Sequence, residues 1–289
     1  MPKNEWPILI VDDEPDVLSI SRLAMKNFTV YDLPIKLYTA RSKAEALEIL
    51  AEKLTVQGRF HHLAVAFIDV VMETDSAGLE LCEHIRRIMQ NHLTQLFIRT
   101  GQPGLAPERE VIDKYDINGY FTKVEATEDK LYSLVKSGVR QFYSSKFSLE
   151  LTLLMNKLIA VSNSRKIMQR LLNSVWLIEQ PDEEDNEIQS VMYRSHTFAN
   201  GESLGGGLDQ AEAIALRDRL DAMPGVSLYA KGDKYVRDDQ NNVLVKISAA
   251  SHKAEVHHII AADFAIPDIA LMTIPDFWAS FARLWYRAA

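Results

Sequence analysis

Short apolar runs alternate with helical patterns along the first 145 residues of this chain. Between the runs, apolar residues recur at the three- and four-residue spacing of an amphipathic helix. Short runs of this kind are typical of strands that a sheet buries on both faces. Their alternation with helices predicts a doubly wound α/β domain with a parallel sheet. The predicted strands lie at residues 8–12, 35–38, 63–69, 95–100 and 118–123.

The pattern from Thr127 to about Glu179 is almost wholly helical, with no proline and with Gly138 as its only glycine. An apolar stripe runs along it at helical spacing. Such a stripe either forms a seam between two subunits or packs on its own domain, and both uses stay open. The stripe consists of Leu131, Leu134, Val135, Phe142, Leu151, Leu154, Leu158 and Val161.

These patterns divide the chain into an N-terminal domain at 1–145, a connecting helix at 146–180 and a C-terminal segment at 181–289. The C-terminal segment combines strand and helix patterns, so we expect a small antiparallel α+β domain. Its predicted strands lie at 188–198, 226–231, 243–249 and 256–263, its helices at 209–223 and from Pro275 onward, and a hairpin turn at 238–242.

Composition narrows the classes of function. The net charge of −8 is spread evenly over the two halves, and neither half has the excess of Lys and Arg that phosphate backbones require. Nucleic acid is therefore not expected as a partner. No apolar stretch reaches the length of a membrane span, and no signal peptide precedes the first strand. With Cys82 as the single cysteine, we expect a buried thiol in a cytoplasmic protein.

Polar side chains follow the predicted strands where each one ends. They are Asp12 and Asp13, Asp69, Thr100 and Lys123. The carboxyl ends of parallel strands form the ligand crevice of such a sheet, so these side chains can converge. Carboxylates suit Mg²⁺, and an aspartate can also accept a phosphoryl group while an ammonium neutralises its charge. Singly, each residue has an ordinary explanation as a turn former, a helix cap or a solvated lysine. Together they predict a Mg²⁺-dependent phosphoryl site.

The ordered set resembles the receiver domain of two-component response regulators, over about residues 6–145. The resemblance implies a flavodoxin-like (βα)5 fold and Asp69 as the phosphoacceptor. It implies Asp12, Asp13, Asp69 and the backbone carbonyl of Val71 as the Mg²⁺ ligands. It also implies a sensor histidine kinase or a phosphotransfer protein as the partner that donates the phosphoryl group.

The same resemblance assigns a switch to Thr100 and Tyr120, beside the lysine expected at Lys123. Phosphorylation is then expected to draw Thr100 toward the phosphoryl group and to move Tyr120 inward, as a shift between two populations. The stretches 69–80, 99–110 and 115–120 resemble a receiver subtype that precedes a GAF-like domain of undefined function, often in cyclic-di-GMP signalling proteins. Glu73 and Val124 stand where common receivers have proline.

The output of the C-terminal segment stays open. We expect a homodimer or an interdomain rearrangement that acts by contact with a downstream protein, including in a quorum-sensing circuit. The alternatives are an output domain that binds DNA, or one that binds a small ligand or nucleotide. No cyclase or phosphodiesterase signature is recognised, so we expect no enzyme activity beyond the receiver's own phosphotransfer and dephosphorylation.

Three further features of the C-terminal segment have ordinary explanations. His196, His252, His257 and His258 are interpreted as surface or core histidines rather than as a metal site. The glycine-rich residues 201–208 are interpreted as a hairpin loop rather than as a phosphate cradle. The aromatic stripe of the last predicted helix is interpreted as core or as a dimer contact.

Overall fold

The computed structural model describes residues 5–54, 63–101, 108–164, 166–168, 194–206, 208–223, 234–237, 243–251, 254–262, 280 and 284. The chain divides into two compact units, and the division within the long helix lies between Ser145 and Lys146. Whether the domains have the predicted bounds of 1–145, 146–180 and 181–289 stays a prediction. In the part of the chain that the structure describes, no helix combines the length and the apolarity needed to span a membrane.

The first unit alternates strands and helices in the predicted order. In chain order the elements are β1 (Trp6–Val11), α1 (Pro15–Met25), β2 (Thr29–Val30), β3 (Leu33–Ala40), α2 (Lys43–Lys53), β4 (Val65–Ile68), α3 (Ala77–Glu83), β5 (Gln95–Thr100), α4 (Glu108–Tyr115), β6 (Gly119–Thr122) and α5 (Glu128–Ala160). A π-helical turn, His84–Ile88, extends α3, and a 3₁₀ turn, Lys123–Glu125, follows β6.

The strands form one sheet in the order β2-β3-β1-β4-β5-β6. All neighbouring pairs from β3 to β6 are parallel. This is the flavodoxin-like strand order with one extra edge strand, and it confirms the fold class predicted for the N-terminal half. The apolar runs are strands buried on both faces: Ile8, Leu9, Ile10 and Val11 of β1 are all 0% exposed.

The edge strand β2 was not predicted. It forms an antiparallel hairpin with β3, in which Val30 pairs with Leu33. The two residues between them, Tyr31 and Asp32, have φ angles of 52° and 65°, as a tight hairpin turn requires. A two-residue strand is too short for a periodic pattern, and Tyr-Asp is not one of the common turn pairs.

Gly138 lets α5 approach the sheet closely. A Cβ atom at this position would lie 2.7 Å from Cγ2 of Val65 in β4. The apolar stripe of this part of the helix, including Leu131, Val135 and Phe142, is buried within the chain itself. This burial favours the second use of the stripe, packing on its own domain, for these residues.

A turn interrupts the long predicted helix. The sequence pattern predicts helix to about Glu179, but α5 ends at Ala160, residues 161–163 form a turn and residues 166–168 are helical again. The rest of this prediction, at 169–179, lies outside the described residues. The N–H groups of Val161 and Ser162 bond three residues back, to Leu158 and Ile159, which tightens the helix end. Ser162, Asn163 and Ser164 follow, and such residues favour helix ends over helix interiors because their side chains compete for backbone groups.

The second unit is an antiparallel α+β arrangement, as predicted. Besides the part of α5 that begins at Lys146, its described elements are β7 (Arg194–Ala199), β8 (Glu202–Gly206), α6 (Gln210–Ala222), β9 (Lys234–Arg237), β10 (Val243–Ser251) and β11 (Ala254–Ala262). The strand order is β8-β7-β11-β10-β9, with every pair antiparallel. Asp209 caps α6 by accepting the N–H groups of Ala211 and Glu212. The GAF-like identity of this unit stays a prediction.

The glycine-rich segment is a strand rather than a hairpin loop. Most of it forms β8, which pairs with β7. The hairpin turn is Asn200-Gly201, with φ angles of 49° and 83°, and this dipeptide is a common turn pair that the sequence interpretation overlooked. The strand β9 was not predicted either. The predicted strand at 226–231 and the turn at 238–242 lie outside the described residues. Ser280 and Leu284, the described residues of the predicted last helix, are both helical.

Candidate functional site

The carboxyl ends of four parallel strands bring the predicted polar residues to one edge of the sheet. Asp12 follows β1, Asp69 follows β4, Thr100 ends β5 and Lys123 follows β6. Backbone hydrogen bonds extend the strand pairing to the two aspartates: the N–H of Asp12 donates to Ala40 O (3.1 Å) and that of Asp69 to Val11 O (2.9 Å). The sheet therefore fixes the backbone that carries both carboxylates.

Lys123 joins the carboxylates of this edge. Its Nζ lies 2.7 Å from Oδ2 of Asp69, 3.1 Å from Asp12 and 2.6 Å from Oε1 of Glu14. Asp12 is 0% exposed and Asp69 is 4% exposed, so water screens the pairs with Lys123 only weakly. The ammonium is thus held against the carboxylates on one side of the crevice.

The pKa values follow from this burial. Burial raises the pKa of Asp69, and the hydrogen bond from Lys123 offsets part of that rise. Burial alone would lower the pKa of Lys123, but its hydrogen bonds to Asp69, Glu14 and Asp12 outweigh burial and raise it. The hydrogen bond from Lys123 lowers the pKa of Glu14. Lys123 therefore stays a cation at physiological pH.

The donor set fits a divalent cation. Carboxylate oxygens of Asp12, Glu14 and Asp69 lie within 4.8 Å of one another. Oδ1 of Asp69 is buried and accepts no hydrogen bond, although a buried carboxylate oxygen is costly to leave without a partner. Hard oxygen donors of this kind are the ligands that Mg²⁺ prefers. A cation or a phosphoryl group would give Oδ1 of Asp69 the partner that it lacks.

The structure places Glu14, rather than Asp13, beside the other carboxylates. Asp13 is exposed and does not belong to the carboxylate group found among the described residues. Glu14 has an extended backbone and donates its N–H to Oδ1 of Asp12 (3.1 Å). Residues two apart in extended chain lie on the same side, a signal already present in the run Asp12-Asp13-Glu14. Ligand roles for Asp13 and for the carbonyl of the partly buried Val71 stay predictions.

Thr100 and Tyr120 are in contact beside this edge. Thr100 is buried, Tyr120 is partly buried, and a hydrogen bond joins their side chains. Burial raises the pKa of Tyr120, and the hydrogen bond with Thr100 opposes this rise. The two residues assigned to the switch are therefore directly linked, whereas the switching itself stays a prediction.

Arg99 is a site residue that the sequence interpretation missed. It is 3% exposed, its Nη2 lies 3.1 Å from Oδ2 of Asp12, and its Nη1 donates to Oγ of Ser21 (2.9 Å). A charged residue inside an otherwise apolar strand needs a buried partner, because an unpaired buried charge is costly. Arginine within the run Leu96-Phe97-Ile98-Arg99 was therefore the signal that could have found it.

Comparison with known proteins gives one curated relative and several solved structures. No family model matches the chain. The relative, 3'3'-cGAMP-specific phosphodiesterase 2 of Vibrio cholerae serotype O1, is 40% identical over 140 residues, which are 48% of this chain and 26% of that protein. The chain thus spans about a quarter of the length of the curated relative it matches.

Several of the similar solved structures are receiver domains, and these cover the N-terminal half. One is the signal receiver domain of an HD domain-containing protein from Pseudomonas fluorescens Pf-5, with 20% identity over 49% of this chain and 99% of that chain and a TM-score of 0.40. Another is described as an adenylate cyclase from Rhodopirellula baltica, with 18% identity over 52% of this chain and 98% of that chain and a TM-score of 0.41.

The expectation that the chain is not an enzyme is contradicted by these comparisons. The curated relative is described as a 3'3'-cGAMP-specific phosphodiesterase. The expectation depended on recognising no catalytic signature in the C-terminal segment. A missing signature is weak evidence, because catalytic groups come together in the fold from distant positions in the sequence.

Proposed function

We propose that the first unit accepts a phosphoryl group on Asp69, in a Mg²⁺-dependent reaction, and acts as the receiver of a two-component phosphorelay. One observation carries this proposal: Asp69 is buried at the crevice with Oδ2 bound to Lys123 and Oδ1 without a partner. A nucleophile needs a free oxygen, and the transferred group needs a nearby cation to balance its charge.

Each residue of the crevice has its own role in the proposed reaction. Oδ1 of Asp69 attacks the phosphorus of a phosphohistidine on a sensor kinase or phosphotransfer protein. The new P–O bond forms as the P–N bond breaks, and the histidine leaves with the electron pair and takes up a proton. Lys123 holds Oδ2 of Asp69 and faces the negative charge of the transferred group. Asp12, Glu14 and Asp69 would hold Mg²⁺, which supplies further charge neutralisation when bound.

The pair of Thr100 and Tyr120 would report the phosphoryl group. The hydroxyl of Thr100 has one proton to donate and two lone pairs to accept with. Once Thr100 donates this proton to a phosphoryl oxygen it can only accept from Tyr120, so phosphorylation favours one direction of the hydrogen bond between them. A ligand can shift a protein between two states only through contacts that differ between them. Here the hydroxyl of Thr100, which contacts both the phosphoryl group and Tyr120, provides that contact.

The output that we propose is a dimer or interdomain rearrangement that alters contact with a downstream protein. The curated match favours a second candidate, in which the phosphorylated state controls the hydrolysis of a cyclic dinucleotide. To test this candidate, 3'3'-cGAMP is incubated with the full chain, with and without a phosphoryl mimic, and the linear product is followed by chromatography. Hydrolysis that changes with the mimic supports it, and no hydrolysis by any form contradicts it.

The phosphoacceptor is tested with beryllofluoride and Mg²⁺, on the native chain and on Asp69→Asn. We expect the native chain to bind the mimic and to change its mass in solution or its scattering profile, and Asp69→Asn to do neither. Asp129→Asn is the matched control, because this carboxylate is exposed on α5 and lies outside the carboxylate group. If the native chain and Asp69→Asn responded equally to beryllofluoride and Mg²⁺, the assignment of Asp69 as the phosphoacceptor would be wrong.

A further inference from the structure

Arg99 puts a second cation into the acidic crevice. Oδ2 of Asp12 faces the guanidinium of Arg99 at 3.1 Å, and Oδ1 accepts from the backbone of Glu14 and from Lys123, both at 3.1 Å. Both oxygens of Asp12 are thus engaged within the chain. This differs from Asp69, whose Oδ1 has no partner.

The two buried carboxylates of the crevice are balanced by two cations. Asp12 and Asp69 are the buried carboxylates of the crevice, and Arg99 and Lys123 face them as cations. Glu14 adds a negative charge at the exposed rim, where its side chain is 62% exposed. Because Arg99 is present as well as Lys123, a divalent cation that enters this crevice is repelled by two fixed positive charges rather than by one.

We propose that Arg99 is a positioning residue for Asp12 that also supplies fixed positive charge, so that the crevice binds divalent cations more weakly than its carboxylates alone would. The guanidinium of Arg99 is a planar fork that can bond two partners at once. It orients Asp12 through Nη2 while Nη1 is anchored on Ser21 of α1. The inference rests on the proposed function of the same site.

A purely structural role makes a different prediction. If Arg99 only tied β5 to α1, its replacement would lower stability without making the crevice bind metal more tightly. If it supplies charge, its removal leaves Asp12 less compensated, and a buried carboxylate that has lost its partner is costly. A bound Mg²⁺ then compensates the charge of Asp12 in place of Arg99. Mg²⁺ therefore binds more tightly, although the fold itself is less stable.

The test is calorimetric titration of Mg²⁺ into the full chain and its variants. We expect Arg99→Gln to bind Mg²⁺ about tenfold or more tightly than the native chain, because a unit charge interacts strongly with a divalent ion in a partly buried site. Arg99→Lys keeps the charge, and Ser21→Ala removes the anchor of Arg99 but not its charge. Both are expected to stay within about threefold of the native affinity by the same reasoning.

Thermal unfolding with and without Mg²⁺ provides the second measurement. Mg²⁺ is expected to raise the Tm of Arg99→Gln by more than that of the native chain, because tighter binding to the folded state stabilises it more. Should Arg99→Gln fail to fold alone, added Mg²⁺ is expected to restore its folding. Equal or weaker Mg²⁺ binding by Arg99→Gln, or no rescue, overturns the proposal. These measurements need no phosphoryl transfer, so a failure of Asp69 as the acceptor would be seen separately.

Discussion

Gly78 lies where α3 passes the backbone of the proposed phosphoacceptor. A Cβ atom at Gly78 would stand 1.8 Å from the carbonyl oxygen of Asp69 and 2.7 Å from its carbonyl carbon. The contact with the oxygen has to widen by about 1.2 Å to reach 3.0 Å, the lower limit for real Cβ contacts. Both atoms belong to the backbone, so no side chain can turn aside to relieve the clash.

We therefore expect Gly78→Ala to move Asp69 as well as to strain the fold. Overpacking that forces a backbone shift costs about 3 kcal/mol, at the upper end of its usual range. A displacement of this size at a reacting group lowers the rate about a hundredfold. The free energy of unfolding is measured by urea titration, and the rate of phosphorylation with a small-molecule acyl phosphate by phosphate-affinity electrophoresis.

Gly101→Ala is the matched control, since its Cβ would meet Cδ of Lys123 at 3.6 Å, an ordinary contact. We expect it to change the free energy of unfolding by less than about 0.5 kcal/mol. If Gly78→Ala were as stable as this control and phosphorylated at the native rate, the close approach of α3 to Asp69 would be refuted.

Three further predictions concern the two cores. Gly138→Ala should lower the free energy of unfolding by about 1–2 kcal/mol because its Cβ meets Val65 at 2.7 Å, whereas the exposed Ser137→Ala should leave it unchanged in the same urea titration. Burial raises the pKa of the Cys82 thiol to about 12. The buried, neutral thiol therefore contributes fully to stability below the unfolded pKa near 9, and this contribution is lost as pH rises toward 12. Relative to Cys82→Ala, the native chain should therefore lose about 1 kcal/mol per pH unit above pH 9.5, and parallel curves would contradict this. His196 has both ring nitrogens bonded, to Leu208 O and Ser203 Oγ at 2.8 Å, so His196→Leu should cost about 2 kcal/mol in the free energy of unfolding. Because these bonds leave no ring nitrogen for a metal, Zn²⁺ should change the Tm of the native chain and of His196→Leu equally.

The N-terminal fold was predictable because its signals are local. The runs that became β1 and β4 are apolar along their length, and the run that became β5 is apolar at its centre, as strands covered on both faces require. The polar residues that end these strands fall at one edge in any parallel sheet of this order. The positions of Asp12, Asp69 and Lys123 along the chain therefore suffice to place the three side chains together.

The finer composition of the site could not be predicted in the same way. That Glu14 rather than Asp13 joins the carboxylates depends on the extended backbone before Pro15 and on the reach of Lys123. The pairing of Arg99 with Asp12 joins residues 87 positions apart. Neither spacing nor periodicity carries such a contact, because it arises only when the two strands lie in one sheet.

The turn that ends α5 and the strand β8 show the same limit of sequence patterns in the rest of the chain. Apolar spacing predicted an unbroken helix beyond Ala160, but the chain turns at residues 161–163 before residues 166–168 become helical again. The sequence by itself determined where apolar and polar residues recur, and hence the elements and the edge at which the chemistry collects. Only the tertiary structure decided which charges face each other and which oxygen of Asp69 stays without a partner. The physical reason is that burial and pairing depend on every neighbour in space, while periodicity reports only neighbours along the chain.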